Sequence, residues 1–275
     1  MNTIVKAILL FLLTGSTPII AQSDVKEQLV VPLSDPGKPG TLTTKLVNSS
    51  IHVIGYNGKD VIVEAVSDAK SNNKREDKVD EFAKGMKRID TRGDIDITAE
   101  ERDNNIKLTQ RVMGRIVHFT IKIPQRFNLR LTTVNNKITV ENVNGELEIN
   151  NVNGPIELTN ISGSAVANTV NGNLTATFKG VDSNKPMAFS TLNGRVDVTF
   201  PNSAKANLKM KTDRGDIFSD FDIDIDKAQP KASRSSQSGM YRVTIEDWVY
   251  GKINGGGPEV MMKSMQGSIY VRKAK

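Results

Sequence analysis

The chain has 275 residues, with 37 basic and 31 acidic side chains, a formal net charge of +6, two histidines and no cysteine. The absence of cysteine excludes a disulfide scaffold, thiolate catalysis, an iron–sulfur cluster and the usual zinc ribbons. Two histidines leave little room for a histidine-rich metal site, whereas the 37% of apolar residues is enough for the core of one or two domains.

The N-terminal segment is typical of an export signal. Lys6 precedes the apolar run Ala7–Leu13, a polar break follows, and the small residue Ala21 ends the segment, which predicts a signal peptide over residues 1–21. The apolar run is far shorter than the ~20 residues that span a bilayer, and no later segment is apolar enough to do so as a helix. Because no cysteine follows the expected cleavage site, a lipoprotein anchor is excluded. The mature chain, residues 22–275, is expected in the periplasm, at the outer-membrane surface or secreted.

One segment after the leader has a helical rather than a strand-like pattern. In residues 74–89 the apolar side chains Val79, Phe82, Met86 and Ile89 recur at helical spacing. The sequence therefore predicts a short amphipathic helical insertion on the flank or at the end of a β structure.

A nine-residue repeat occupies residues 133–177, with units that begin at Thr133, Asn142, Asn151, Asn160 and Thr169. Apolar residues fill the second, sixth and eighth positions of each unit. The sixth and eighth positions alternate as on one face of a strand, and the change of spacing before the next unit predicts a bend there.

Two all-β folds are compatible with this repeat. The Asn-Gly pairs favour an antiparallel meander of hairpins, but a meander then needs a bulge at the same place in every strand. A β-solenoid (β-helix or β-roll) instead uses each unit as a nine-residue half-turn, and identical side chains stack into hydrogen-bonded ladders. We therefore predict a single-domain β-solenoid. Two asparagine ladders are expected, one of Asn142, Asn151 and Asn160 and the other of Asn135, Asn144, Asn153 and Asn171.

The repeat continues more loosely towards the C-terminus, at Thr191–Val198, Thr212–Ile217, Lys252–Gly255 and Ser264–Val271. Asparagine and glycine are expected at the corners of the coils, where glycine accepts a positive φ at little steric cost. The predicted corner residues are Asn135, Asn144, Gly145, Asn153, Gly154, Gly163, Asn171, Gly172, Asn193, Gly194, Gly215, Asn254, Gly255 and Gly267. The spacing along the chain is about one coil plus a short insertion between successive glycines of the set Gly172, Gly194 and Gly215. Residues 227–239, rich in Ser, Lys and Gln, predict a mobile loop.

The Thr-Val-Asn-Gly-type units of residues 133–177 resemble those of the bacterial putative-adhesin domain family, a domain of unknown function related to the head domains of proposed autotransporter adhesins. The lead-in Ile121–Pro124 and the segments Gly251–Glu259 and Gly267–Val271 are also similar to that family. The resemblance extends from about Val31 to the end of the chain. It implies a β-helix or β-roll in the cell envelope, with adhesion as the role, and it implies no catalytic residues.

Acidic side chains in the sequence suggest two kinds of chemistry, and neither is favoured. Glu146 and Glu148 lie two residues apart, a spacing that suits the paired carboxylates of glycosidases but arises in any strand. Asp220, Asp222, Asp224 and Asp226 alternate with apolar residues and form a stripe that is either a solvated strand face or a Ca²⁺ site. Successive carboxylates on a strand are about 6.6 Å apart, too wide for one compact site without a second strand.

Two glycine-containing motifs also have a structural and a functional interpretation. Arg-Gly-Asp occurs at Arg92–Asp94 and at Arg214–Asp216, where the repeat favours a corner over a cell-attachment site. The run Gly255–Gly257 is able to approach a phosphate closely, but no P-loop Lys-Ser/Thr follows and no helical pattern opens there. A tight corner is the favoured interpretation.

These features predict a non-enzymatic envelope protein with no cofactor and no metal. It is expected to be a binding or structural module with a repetitive Asn/Thr/Glu-rich β face. Its expected partners are envelope or surface glycans or an envelope protein. The pI near 9.3 does not favour nucleic acid in an exported protein. Two alternatives remain, a periplasmic scaffold or envelope-stress partner and a β-helical polysaccharide-acting enzyme.

Overall fold

The computed structural model describes residues 25–67, 96–111, 116–226, 232–237, 240–245 and 248–275. All regular elements in these ranges are β-strands, so the prediction of an all-β fold is confirmed. Nowhere in these ranges is there a helical segment with the length and apolar character to cross a bilayer. The expected signal peptide (1–21) and helical insertion (74–89) lie outside the described residues.

The strands are β1 (Val25–Val31), β2 (Gly40–Lys45), β3 (Ser49–Tyr56), β4 (Val61–Ser67), β5 (Ile97–Arg102), β6 (Asn105–Gln110), β7 (Val117–Pro124), β8 (Phe127–Thr132), β9 (Ile138–Glu141), β10 (Asn144–Asn150), β11 (Ile156–Asn171), β12 (Leu174–Val181), β13 (Met187–Asn193), β14 (Val196–Phe200), β15 (Ala206–Thr212), β16 (Ile217–Ser219), β17 (Asp224–Ile225), β18 (Ala232–Gln237), β19 (Met240–Ile245), β20 (Val249–Ile253), β21 (Glu259–Ser264) and β22 (Ile269–Lys273).

Twenty of these strands form one sheet that winds into two faces. Face A contains, in spatial order, β1, β4, β7, β3, β9, the first half of β11, β12, β14, β22 and β16. Face B contains β5, β6, β2, β8, β10, the second half of β11, β13, β21, β15, β20 and β17. The long strand β11 passes from face A to face B. We call the turns from face B to face A corner 1 and the turns from face A to face B corner 2.

The central coils pair in parallel at a constant offset along the chain. Leu129 pairs with Leu147 on face B, and Ile138 pairs with Ile156 on face A. Stacked asparagines of these coils are 18 residues apart, and the separation grows to 22 residues in the coil that contains Arg195. Parallel pairing rules out a meander in this part of the chain, because a two-residue Asn-Gly hairpin joins antiparallel strands. The fold is therefore β-solenoid-like, and the division of each coil into two nine-residue half-turns stays a prediction.

The coils at the C-terminal end do not stack in chain order. Strand β21 lies between β13 and β15, and β22 lies between β14 and β16, so the last coil of the chain is inserted one coil in from the end. The N-terminal end is similar, since β2 lies between β6 and β8, and β3 lies between β7 and β9. The coil of β2 and β3 and the coil of β21 and β22 are therefore each held between neighbouring coils.

An apolar core lies between the two faces. Inward-facing residues alternate with outward-facing ones along the strands, as in β4, β8 and β14. Phe178 of face A packs across the core on Phe189 of face B, with ring centroids 6.0 Å apart, and stacks on Phe200 at 5.6 Å. These aromatic contacts connect the coils where the offset between stacked residues increases.

Two predictions concern the C-terminal region. Within the segment 227–239, whose mobility stays a prediction, residues Ala232–Gln237 form β18, which pairs antiparallel with β19. The strand-forming sequence of β19 gives the polar residues of β18 a backbone partner that their composition did not reveal. The stripe of residues 220–226 is not one strand, because β16 ends at Ser219 and β17 has only two residues.

Candidate functional site

At corner 1, the first residue of a repeat unit forms a hydrogen bond with a backbone carbonyl group of the neighbouring coil. The side chain donates a hydrogen bond of 2.7–3.0 Å to the backbone oxygen of the residue at the fourth position of that neighbour. The pairs are Asn151 to Asn136, Thr169 to Gly154, Thr191 to Gly172, Ser264 to Gly194 and Thr212 to Gly267. Four of these donors, Asn151, Thr169, Thr191 and Ser264, are buried, and because a buried polar group without a partner is costly, the hydrogen bond stabilises this corner. The recurring Thr, Ser or Asn in the sequence was the signal for this role.

Five asparagines form a side-chain ladder along corner 1. Each amide nitrogen donates to the amide oxygen of the preceding rung, at 2.6, 3.1, 2.8 and 2.6 Å. The rungs are Asn48, Asn135, Asn153, Asn171 and Asn193. The ladder is built from residues of successive coils.

The two predicted ladders are therefore corrected in their membership. Asn144 does not belong with Asn135, because it lies at corner 2, where its backbone amide donates to Gln125 O at 2.7 Å. Asn142 and Asn160 are joined at 3.2 Å, whereas Asn151 lies at corner 1. Residues that occupy the same position of successive nine-residue units lie on opposite corners.

Glycines stack at both corners because the coils approach each other closely there. A Cβ atom on Gly172 would lie 2.1 Å from Gly154 O, and one on Gly194 would lie 2.1 Å from Gly172 O. At corner 2 the same close approach joins Gly163, at φ 108°, to Gly145.

The expected order of the C-terminal glycines is corrected by the inserted coil. Gly267 lies against Gly194, and Gly215 lies against Gly267 rather than against Gly194. Asn254 and Gly255, at φ 49° and 83°, lie in the turn between β20 and β21. Their positive φ values suit a tight turn, and a Cβ on Gly255 would meet nothing within 4 Å.

The second position of the repeat unit differs between the two corners. At corner 2 it is buried, as Val143 and Ile161 show. At corner 1 it forms an exposed apolar stripe, in which each side chain is 38–45% exposed: Val47, Val152, Val170, Leu192 and Met265. The sequence pattern does not separate these two environments, because the residues are apolar in both.

A shallow groove of about 500 Å³ lies on the outer surface of face B. Strands β8, β10 and the second half of β11 form its floor, and residues 185–186 of the β12–β13 loop form its rim. Polar side chains alternate along these strands with core residues and so point outward. The polar lining residues are Thr41, Asn128, Arg130, Glu146, Glu148, Asn150, Ser164, Asn168 and Lys185.

The charged side chains of the groove are paired with each other. Lys185 Nζ contacts Glu146, and this hydrogen bond raises the pKa of the Lys185 ammonium. Arg130 Nε lies 3.8 Å from Glu148 Oε2. Glu146 and Glu148 therefore each belong to an ion pair on an electrically balanced surface.

A row of hydrogen-bonding side chains starts in the groove, at Asn150 and Asn168, and continues along the stacking direction to Ser190 beyond its lining. Asn168 donates to Asn150 Oδ1 at 3.2 Å, and Ser190 donates to Asn168 Oδ1 at 2.6 Å. These bonds fix the orientation of the amides while their remaining donors and acceptors face outward. The polar ninth position of the repeat unit is the sequence signal of this row, and it was not among the predicted site residues.

The remaining sequence candidates lie away from the groove. Gly215 of Arg214–Asp216 sits at corner 1, and Arg92–Asp94 lies outside the described residues. Asp220, Asp222, Asp224 and Asp226 are all exposed. No group of three potential metal-ligating side chains is close enough to hold an ion in the part of the chain that the structure describes.

This chain is similar at low sequence identity to proteins of known structure. A crystal structure of a protein from Clostridium sporogenes ATCC 15579, described as a putative cell adhesion protein, aligns with 92% of this chain and 100% of its own at 11% identity and a TM-score of 0.44. A protein from Bacteroides fragilis NCTC 9343, described as a putative adhesin, aligns with 92% of this chain and 99% of its own at 10% identity and a TM-score of 0.26. No curated protein matches the chain.

The match to a family model covers the chain from the start of β8 to a point before β20, and the last coil of β21 and β22 lies outside it. Residues 125–247 match the model of the family named Toastrack DUF4097, a domain of unknown function. This segment contains the Thr-Val-Asn-Gly units, the Asn153 and Asn171 rungs and most of the groove. The chain is thus similar to the domain family that its repeats indicated, and that resemblance is confirmed.

Proposed function

We propose that this chain is an exported, non-enzymatic binding module of the cell envelope that holds a polar, uncharged polymer, such as a glycan, in the face-B groove. The observation that carries the proposal is the row of oriented amides and hydroxyls, Asn150–Asn168–Ser190, on a rigid sheet. In this proposal two nine-residue units make each central coil, and residues 1–21 are the cleaved leader. Adhesion is the biological role that the family resemblance implies for such a module.

The electrostatics of the groove support a neutral ligand. Its two cations and two carboxylates form Lys185–Glu146 and Arg130–Glu148 pairs, so no net charge is left to attract an ionic polymer. Parallel strands repeat about every 4.8 Å, which allows one extended chain to make the same weak contact on several coils. Several weak contacts on one polymer then add through avidity.

Binding of neutral glycan polymers to the purified protein and to two variants tests this proposal. Asn168→Ala is expected to weaken binding by about three- to tenfold, because one hydrogen bond contributes about 0.5–1.5 kcal/mol. The matched control is Thr175→Ala, which removes a half-exposed polar side chain from the outer surface of face A. Equal loss in both variants, or no binding across a broad panel of neutral glycans, would contradict the proposal.

Export has its own test, which does not depend on the ligand. The mass of the protein recovered from the envelope or medium should lack residues 1–21. Recovery of the intact N-terminus from the cytoplasm would contradict the predicted leader.

A further inference from the structure

A second cavity, of about 450 Å³, lies at corner 2 near the C-terminal end of the stack. Three segments meet there: residues 179–183 at the end of β12 and in the turn that follows it, residues 201–205 after β14 and residues 256–258 before β21. The segments after β12 and β14 are neighbours because these two strands pair directly, and the insertion of β21 between β13 and β15 brings the glycine turn beside them. A solenoid stacked in chain order would not bring the glycine run Gly255–Gly257 beside the other two turns.

The lining of this cavity is basic. Lys179 and Lys205 line it together with the hydroxyl residues Ser183 and Ser203, and no carboxylate lines it among the described residues. Neither lysine lies within ion-pair distance of an acidic side chain in the described ranges. Asp182, the nearest acidic residue in sequence, accepts the amide of Asn184 at 3.0 Å and lies 3.9 Å from Lys185. The cavity therefore combines two uncompensated positive charges with hydroxyl donors.

The backbone wall of the cavity is fixed by side-chain amides. Asn254 donates to Asn202 O at 2.9 Å and to Ala204 O at 2.7 Å, which ties the glycine turn to the turn after β14. Asn207 donates to Gly257 O at 2.5 Å.

The close packing of the two turns explains why glycine occupies positions 256 and 257. A Cβ on Gly257 would lie 2.4 Å from Lys205 O, so the two turns touch directly. Gly256, at φ 87°, adopts a conformation that other residues rarely adopt. The wall that carries Lys205 is thus held in place before any ligand arrives.

We propose that this cavity binds the anionic group of a small ligand, a carboxylate or a phosphate carried on a sugar-sized molecule, between Lys179 and Lys205. Its volume lies within the range of about 300–1,000 Å³ that small-molecule sites occupy, well above what a bare ion needs. Lysine binds such groups as a point charge, and the serine hydroxyls supply hydrogen bonds to the same oxygens or to a neighbouring hydroxyl group. The site is separate from the face-B groove and binds a small anionic ligand, whereas the groove binds an uncharged polymer.

Calorimetric titration of the purified protein with three matched probes, glucuronate, glucose 1-phosphate and glucose, tests the assignment. At least one of the two anionic sugars should bind saturably and more weakly as salt is added, and glucose should not bind. Lys179→Gln and Lys205→Gln should each raise the Kd about ten- to hundredfold, since a hydrogen bond to a charged group contributes about 1.5–3 kcal/mol.

The matched control is Lys263→Gln, which removes an exposed lysine from β21 outside the cavity lining and keeps the change in net charge identical. Its affinity should equal that of the unaltered protein. Equal weakening in the control would reveal nonspecific attraction to a basic protein and overturn the proposal. Binding of glucose with the same affinity, unchanged binding in both cavity variants, or no saturable binding of either anion would also overturn it. All three lysines are exposed, and an unchanged melting temperature verifies that each variant folds.

Discussion

Replacing Gly172 by alanine tests directly how tightly the coils pack at corner 1. The new Cβ atom would lie 2.1 Å from Gly154 O, whereas real Cβ atoms essentially never come within 3.0 Å of another heavy atom. The obstacle is backbone, so it cannot rotate away, and the two coils must move apart at this point until the contact is relieved.

The expected cost follows from the hydrogen bonds that hold these coils together. Gly154 N donates to Asn171 O at 2.9 Å, Asn171 N to Val152 O at 2.8 Å, and Ile156 N to Asn173 O at 3.0 Å. Moving the coils apart breaks all three, and each contributes about 1 kcal/mol, so Gly172→Ala should destabilise the protein by about 3 kcal/mol. For a chain of this size the melting temperature should fall by about 6–12 °C.

Gly180→Ala is the matched control for this substitution. A Cβ on Gly180 would meet its nearest neighbour, Ser162 Oγ, at 3.9 Å, which is ordinary contact. Both substitutions reduce the entropy of the unfolded chain by the same amount, worth about 0.4–1 kcal/mol, so Gly180→Ala should be neutral or slightly stabilising. Urea denaturation of the two variants measures the difference. If their free energies of unfolding agree within about 0.5 kcal/mol, the range of ordinary surface substitutions, the close packing of the corner glycines is refuted.

Three further substitutions have expected outcomes in the same denaturation assay. Thr191→Val removes the hydroxyl that donates to a carbonyl of the neighbouring coil and should cost about 1–3 kcal/mol, whereas Thr175→Val on the outer surface should cost almost nothing; equal effects would contradict the role of the buried hydroxyls. Phe178→Ala should cost about 3–5 kcal/mol, because it empties the contact between the two faces, and a loss below about 1 kcal/mol would argue against that contact. Glu101 accepts hydrogen bonds from the backbone amide and hydroxyl of Ser34 and from the amide of Asn104, which lower the pKa of the Glu101 carboxyl. Because that pKa is depressed, the carboxylate stabilises the fold above its ordinary pKa and this contribution is lost as the pH falls through the folded value. Glu101→Gln should therefore destabilise the protein at neutral pH and have little effect in strong acid, and a pH-independent difference would contradict this assignment.

The central coils were predictable from the sequence because their contacts are regular and close in sequence. Equivalent residues of the central coils are 18 residues apart, as in the parallel register of Leu129 with Leu147. The change in spacing of the apolar residues between one unit and the next was also sufficient to favour stacked coils over hairpins. The ladders were assigned to the wrong members because a nine-residue pattern does not say that successive units face opposite corners, as Asn135 and Asn144 do.

The order of the outer coils could not be predicted from the repeat. Met187 pairs with Val260, which lies far along the chain, and nothing in either segment distinguishes this partner from the coil that follows in the chain. Because the glycine wall of the corner-2 cavity comes from the inserted coil, the full lining of this cavity could not be predicted from the repeat either. The face-B groove is a similar case, since Lys185 reaches Glu146 from a loop outside the repeat.

The exposure of the apolar stripe at corner 1 could not be predicted from the repeat for a different reason. Val143 is 1% exposed and Val152 is 38% exposed, yet both fill the second position of a unit. Corner 1 turns this side chain outward and buries the first residue instead, so that Asn151 can reach the carbonyl of Asn136. The choice between the two arrangements is made by hydrogen bonding at the corner rather than by hydrophobicity.

The insertion of the last coil is the feature on which the architecture and the corner-2 cavity both depend, and pairs of engineered cysteines measure it directly in a chain that has none of its own. Ser190 of β13 lies in register with Lys263 of β21, which in turn lies in register with Lys211 of β15. Adjacent strands are about 4.8 Å apart, within reach of a disulfide, whereas strands two apart are about 9.6 Å apart and beyond the limit of about 7 Å. Under mild oxidation, the pair Ser190→Cys and Lys263→Cys should form a disulfide, and the pair Ser190→Cys and Lys211→Cys should remain reduced. The reverse result, with the second pair joined and the first free, would show that β15 follows β13 directly and that the last coil is not inserted.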